Sequence, residues 1–344
     1  MNKIALITGI SGQDGAYLAK FLLSKGYKVI GGERRSASGS LWRLKELGVE
    51  NDIEIADFEL SEFTNIYRII EKYNPDEIYN LAAQSFVAAS FEMPIMTSDV
   101  TGIGVSRVLE AIRHINPDIK FYQASSSEMF GNISEVPQNE NTIFYPRSPY
   151  GVAKLFGHWI TVNYRESYDM FACSGISFNH ESPLRGTQFV TRKITIGLSK
   201  IKLGNLDYLE LGNLDSKRDW GYAGDYVEAM YLMLQQKKPD DFVIATGKNY
   251  SVRDFIMATC DELNIKAEWS GKDKNEVLIN TETNREIIRI NPKFYRPSEV
   301  DFLLGDSSKA KSILNWKPKK TFRELVSIMA ISDYRKLKEK QSKG

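Results

Sequence analysis

Short apolar runs alternate with stretches of helical periodicity through the first half of the chain. Ile4–Thr8 has the strand pattern. Gln13–Ser24 has the helical one, with Leu18, Phe21 and Leu22 on one face. Strands are predicted at Lys28–Glu33 and at 53–57, 77–82, 120–124 and 171–178, and helices at 41–47, 62–73, 95–115 and 149–168. This alternation predicts an α/β fold, a Rossmann-type doubly wound parallel sheet covered on both faces with right-handed crossovers. After about residue 180 the rhythm breaks. Helices are expected over 187–203 and 225–236, polar loops over 212–219 and 287–298, and a frayed Lys-rich tail over 335–344. The division predicted is a cofactor domain over 1–180, with returning segments near 220–245 and 290–310. A smaller, discontinuous substrate lobe lies within 181–330.

Gly9-Ile10-Ser11-Gly12-Gln13-Asp14-Gly15 follows the first strand and opens the first helix. That is the setting of a dinucleotide fingerprint, here spaced G-x-x-G-x-x-G. Gly9 permits the turn, Gly12 lets backbone approach a pyrophosphate, and Gly15 lets the helix pack on the sheet. At the end of the second strand Glu33 suits a ribose hydroxyl and NAD, whereas Arg34 and Arg35 suit a 2′-phosphate. The adjacent guanidiniums favour NADP. Asp57 and Phe58 are candidates to flank the adenine, and the small residues of Leu81-Ala82-Ala83-Gln84-Ser85 allow backbone to approach the cofactor.

Tyr150 and Lys154 lie one helical turn apart. An ammonium beside a phenol favours the phenolate, lowering a pKa that starts near ~10. That makes a base for an alcohol proton. Ser126 can bond the same oxygen. Glu128 adds a carboxylate that simple alcohol oxidation does not need. The set predicts oxidation at one carbon coupled to acid–base chemistry at its neighbour.

Composition narrows the field. The 344 residues are 42% hydrophobic with net charge +1, which gives no nucleic-acid footprint. No apolar run reaches the roughly 18 residues of a membrane span, and the N-terminus enters a strand directly, without a signal-peptide pattern. The two cysteines, Cys173 and Cys260, make neither a disulfide framework nor a zinc site, and a reduced, cytoplasmic protein is expected. The three histidines, His114, His158 and His180, have no metal-ligand spacing and build no Ser-His-Asp set. No metal is expected.

In order along the chain, the glycine loop, residues 80–85, Ser126-Ser127-Glu128, 150–154, Asn179-His180-Glu181-Ser182-Pro183, 189–194, 212–221 and 295–301 resemble the extended short-chain dehydrogenase/reductases. Within them they are similar to the 4,6-dehydratases of GDP-linked hexoses, from about residue 3 to about 330. The second-half motifs are the specific ones. The resemblance implies that NADP takes a hydride from C4 while Tyr150, helped by Lys154 and Ser126, takes the 4-hydroxyl proton. Glu128 then removes the C5 proton, water leaves from C6, and the hydride returns there. It also implies that Lys154 binds the nicotinamide ribose, and that His180 and Arg185 contact the cofactor. Asn179, Lys193, Arg218 and Arg296, with Gly212, would hold the GDP, and Glu299 a ribose hydroxyl. Ser85, Ser126 and Glu128 would meet the sugar. A homotetramer is implied, with the loop around 35–41 reaching a neighbour's cofactor. Four departures stand out: Ser126 where threonine is common, Tyr222 and Gly224 where histidine and lysine are usual, and Leu184 for an arginine. They leave GDP-mannose and GDP-manno-heptose both open as substrates.

Other readings remain. A C4 epimerase or 4-dehydrogenase needs Tyr150 and Lys154 but no Glu128. A non-catalytic NADP-binding regulator needs none of the four. A Tyr-x-x-x-Lys pair alone is usually helix surface, His180 after an apolar strand suits a core, and Arg185 and Arg218 suit surface ion pairs.

Overall fold

The computed structural model describes residues 2–35, 41–295 and 302–342. Seven strands form one parallel sheet in the order 242–244, 172–177, 120–126, 77–80, 4–8, 28–33, 54–57. Strand residues alternate between two cores. Ala5, Ile7, Tyr79 and Tyr122 enter one face, and Leu6, Ile30, Ile78 and Phe121 the other. Burial on both faces explains why these strands read as continuous apolar runs. Helix Gln13–Ser24 packs its Leu18 and Leu22 face into the first core.

The predicted helix over 95–115 is helical throughout, but its turn at Ser98–Ile103 is a π-helix. The wide turn brings Thr101 Oγ1 to the backbone N–H of Gln84 at 3.0 Å. It also sets Gly102 where a Cβ would lie 3.4 Å from the Ala153 carbonyl.

Four more strands, 267–270, 277–280, 285–290 and 209–211, form a second sheet. Helices Val190–Lys202, Val252–Glu262 and Phe322–Gln341 share its core through Ile194, Phe255 and Met329. Three expectations fail here. Residues 287–298 were expected to be loop, yet Arg285–Ile290 is a strand. Its register with Val277–Asn280 shifts, so Ile287 is an extra residue. The bulge buries Ile287 and Ile288 together and removes the period-two signal. Within 212–219, Lys217–Arg218 also pairs with Tyr250–Ser251. The tail does not fray at 335: the last helix runs to Gln341. A Thr321/Glu324 capping box starts it, and the buried Arg192–Asp333 ion pair anchors it at 2.5 Å.

Candidate active site

The strand order reverses beside Ile4–Thr8, and ligands of open α/β sheets bind at such a switch point, beyond the carboxyl ends of the strands. Thr8 holds the two sides together. Its hydroxyl donates to Asn80 Oδ1 at 2.8 Å and accepts from the N–H groups of Leu81 and Ala82. Gly9 turns with φ of 70°, and a Cβ there would lie 2.9 Å from Ala82 Cα. A Cβ on Gly15 would lie 2.4 Å from the Gly9 carbonyl. The tight approach leaves the start of helix Gln13–Ser24 open toward the cleft, with Gly12 at its cap.

The cleft continues past Leu81, Ala83 and Ser85 to Ser126, Glu128, Tyr150 and Lys154. Ser126 ends a sheet strand, and its hydroxyl accepts from the Glu128 N–H at 3.2 Å, turning the chain so that both residues border one space. Helix Pro149–Tyr168 starts on the Ser148 cap with Pro149 in its first turn. A Cβ on Gly151 would lie 2.8 Å from the Glu128 carbonyl, so glycine lets the helix rest on that turn. Sequence spacing thus brings all four catalytic candidates together.

Their electrostatics differ from expectation in one respect. Lys154 Nζ donates to the Ala124 carbonyl at 2.7 Å and stands 5.8 Å from the Tyr150 ring centre. Tyr150 is 8% exposed, and burial pushes its phenol up to about 12, opposed by the Ser126 hydroxyl. Burial also pulls Lys154 down to about 8. In the protein alone, the serine eases the phenol and the lysine is held by a backbone carbonyl.

His180 accounts for both its nitrogens within the protein: Nδ1 meets the Phe178 carbonyl at 2.7 Å and Nε2 meets Asp14 at 2.9 Å. Burial disfavours the imidazolium, but Asp14 outweighs it and raises His180 above its usual value. Burial opposes Asp14 ionisation too, yet His180 holds that carboxyl down at about 2. Gln13 closes the network, donating to Asp14 and to the His180 carbonyl while accepting from Ser182. His180 therefore braces the glycine loop against the second half of the chain. Arg185 borders the same cleft, 3.2 Å from Glu181 and over the Phe189 ring at 3.6 Å. Asn179 Oδ1 is buried with no hydrogen-bond partner among the described residues.

The remaining candidates lie beyond this cleft. Arg34 and Arg35 are exposed at the end of the second strand. Asp57 is exposed beside them, but the Phe58 ring packs in the sheet core and does not face the cleft. Ala82 and Gln84 back the lining loop. Lys193 sits over Phe294 at 3.9 Å, and Gly212 brings its backbone against the Phe294 carbonyl. Arg218 is buried beside them in sequence order but on the Lys217–Arg218 strand. Arg296, Glu299 and residues 36–40 lie outside the described residues. Lining residues Ser177, Phe178 and Met230 had no local signal, because they reach the cleft only through the sheet order.

Of the departures, Ser126 lines the cleft, and Leu184, Tyr222 and Gly224 are packing. Leu184 is in the main core, and Tyr222 meets Tyr17 edge-on at 5.7 Å. A Cβ on Gly224 would lie 2.4 Å from the Tyr222 ring, so those two changes accompany each other. Neither lines the cleft.

A doubly wound sheet with a glycine loop at its switch point and a Ser/Tyr/Lys set on the adjoining strand and helix defines an extended short-chain dehydrogenase/reductase. The family model described as GDP-mannose 4,6 dehydratase matches residues 6–329, and the chain belongs to that family. Relatives named GDP-mannose 4,6 dehydratase from Cricetulus griseus and Homo sapiens are each 52% identical, the alignments covering 96% of this chain and 91% of theirs. Among solved structures, a dTDP-glucose 4,6-dehydratase from Bacillus anthracis in complex with NAD superposes with a TM-score of 0.80 at 20% identity, covering 98% of each chain. The RMD structure from Pseudomonas aeruginosa, complexed with NADPH, gives 0.76 at 19% identity, over 97% of this chain and 100% of that one. These distant likenesses speak for the fold.

Proposed function

We propose that the protein is an NADP-dependent GDP-mannose 4,6-dehydratase, a hydro-lyase making GDP-4-keto-6-deoxymannose and water for deoxysugar biosynthesis. The observation that carries this is Glu128 beside Ser126, Tyr150 and Lys154 in one cleft, within a family of that name. The glycine loop, where a Cβ at Gly9 would strike the Ala82 backbone and one at Gly15 the Gly9 carbonyl, keeps the helix start close and open, which fits a dinucleotide pyrophosphate. A nicotinamide cofactor there supplies the acceptor for the C4 hydride and the hydride that returns to C6. Tyr150 takes the 4-hydroxyl proton with Ser126 bonding the same oxygen, and the Lys154 ammonium offsets the charge. The C4 ketone acidifies C5, whose proton passes to Glu128 and from its carboxyl to the C6 hydroxyl, which leaves as water. Arg34 and Arg35, exposed and without an ion pair among the described residues, support NADP over NAD.

Residues 1–180 with the returning segments bind the cofactor, and the rest of 181–330 binds the sugar nucleotide. Asn179, Lys193, Gly212, Arg218, Arg296 and Glu299 hold the GDP, and His180 and Arg185 support the cofactor. A homotetramer is favoured by apolar side chains left exposed on the paired helices 94–115 and 149–168: Ile95 at 85%, Phe156 and Trp159. Two buried, unpaired thiols suit the cytoplasm, and no helix among the described residues is long and apolar enough to cross a membrane. The test is mass spectrometry of purified protein with GDP-mannose and, separately, GDP-manno-heptose. Loss of one water from GDP-mannose, with the heptose turned over more slowly, is expected. Unchanged mass for both, with NADP or NAD added, contradicts the reading.

A further inference from the structure

Around the apex of the glycine loop three cations pair with carboxylates, and among the described residues the half-buried Arg43 does not. His180 meets Asp14 at 2.9 Å, Arg185 meets Glu181 at 3.2 Å, and Arg192 meets Asp333 at 2.5 Å. Arg43 stands at the start of helix Trp42–Glu46. Its guanidinium is half-buried and lies 4.5 Å over the Trp42 ring. Its two bonds go to backbone carbonyls, Nε to Leu184 at 2.7 Å and Nη1 to Ser11 at 2.9 Å. No carboxylate among the described residues pairs with it. Burial first, and then the neighbouring Arg192 and Arg185 charges, disfavour its cationic form, and the Asp14 carboxylate does not offset them. A guanidinium has five N–H donors, and two are engaged here. Burying a charge is costly unless an opposite charge completes the site.

The place of this excess charge is specific. Ser11 is the residue before Gly12, the cap of the pyrophosphate-facing helix. Gly9 N–H donates to the Gly32 carbonyl at 2.9 Å, next to the strand end that carries Glu33, Arg34 and Arg35. Arg43 therefore touches the loop between the pyrophosphate cradle and the proposed 2′-phosphate pair. We infer that Arg43 is a phosphate-binding residue for the dinucleotide, its remaining N–H groups donating to a phosphate on the adenosine half. The inference rests on the cofactor reading above. It also explains a buried arginine held on two carbonyls: with cofactor bound, the same side chain closes the glycine loop and the segment at Leu184 around the phosphate.

The test is calorimetric titration of nucleotide-stripped protein with NADP+, NAD+, 2′,5′-ADP and 5′-ADP, for wild type, Arg43→Gln and Arg43→Lys. Arg43→Gln should weaken NADP+ roughly tenfold or more, and Arg43→Lys less, because lysine keeps the charge and loses the planar fork. A loss confined to NADP+ and 2′,5′-ADP places Arg43 on the 2′-phosphate. An equal loss for all four ligands places it on the adenosine 5′-phosphate, the one phosphate they share. Unchanged affinity in Arg43→Gln overturns the inference. If that variant does not fold, Arg43→Lys decides: a several-fold weaker NADP+ supports it and wild-type affinity overturns it. Wild-type protein that binds none of the four would overturn the cofactor reading itself.

Discussion

The two sheets of this protein carry different kinds of site residue. In the parallel sheet, side chains proposed for chemistry hang from strand ends and one capped helix: Ser126, Glu128, Tyr150 and Lys154. Those proposed to hold the sugar nucleotide sit on separate elements around the second, mixed sheet. Lys193 is on a helix, Gly212 on a turn, and Arg218 on a two-residue strand. The first set is fixed by close backbone approaches, such as Gly151 on Glu128, that tolerate no added atom. The second set depends on long-range ties, such as Arg192–Asp333. With the proposed roles, reaction type is built into the regular lobe and recognition into the irregular one.

Four changes sharpen or break this contrast. Tyr150→Phe should lower kcat by about a thousandfold with little change in KM, read as the initial rate of water loss. Wild-type turnover would remove Tyr150 from the chemistry. Glu128→Gln should lower dehydration by about a hundredfold or more while oxidation at C4 continues. Near-ultraviolet absorbance of reduced cofactor would then build up. A full dehydration rate would remove Glu128 from the elimination step.

In the other sheet, Asp333→Ala should leave Arg192 buried and unpaired. Urea unfolding should show a loss of about 3–5 kcal/mol. An unchanged midpoint would mean the tie is not what holds the last helix. The smallest effect concerns the brace between the sheets. His180 has a raised pKa in the folded protein, so its contribution is fully present below its unfolded value and is lost as pH rises through the folded one. Asp14 has a lowered pKa, so its share is lost only as pH falls toward about 2. The melting temperature should therefore decline above pH ~6.5 in wild type and stay flatter in His180→Asn. Parallel curves would deny the brace.

Legibility in the sequence follows the same division. Strand Ile4–Thr8, helix Gln13–Ser24 and helix Pro149–Tyr168 are where periodicity and caps predict them. The bulge at Ile287 erased the alternation of its strand. The anchoring of the last helix depended on Asp333 reaching Arg192 across 141 residues, which no local window contains. Among site residues, glycines and the Ser/Glu/Tyr/Lys spacing were readable because the backbone geometry they require is local. The packing of the Phe58 ring was not legible, because a strand-end aromatic can face either core or cleft and only the sheet's second core decides. The influence of Lys154 on Tyr150 was overstated because the Ala124 carbonyl, a tertiary partner, holds the ammonium. The packing of Tyr222 and Leu184 was hidden because their partners, such as Tyr17, are distant in sequence.

The most direct test of the account is to follow one hydrogen. GDP-mannose carrying deuterium at C4 would be converted in ordinary water and the product examined by NMR. If oxidation at C4, elimination by Glu128 and hydride return occur in one closed cleft, deuterium appears at C6 of the 4-keto-6-deoxy product, a solvent proton is found at C5, and no reduced cofactor accumulates. Deuterium that stays at C4, or is carried away on free reduced cofactor, would contradict the account.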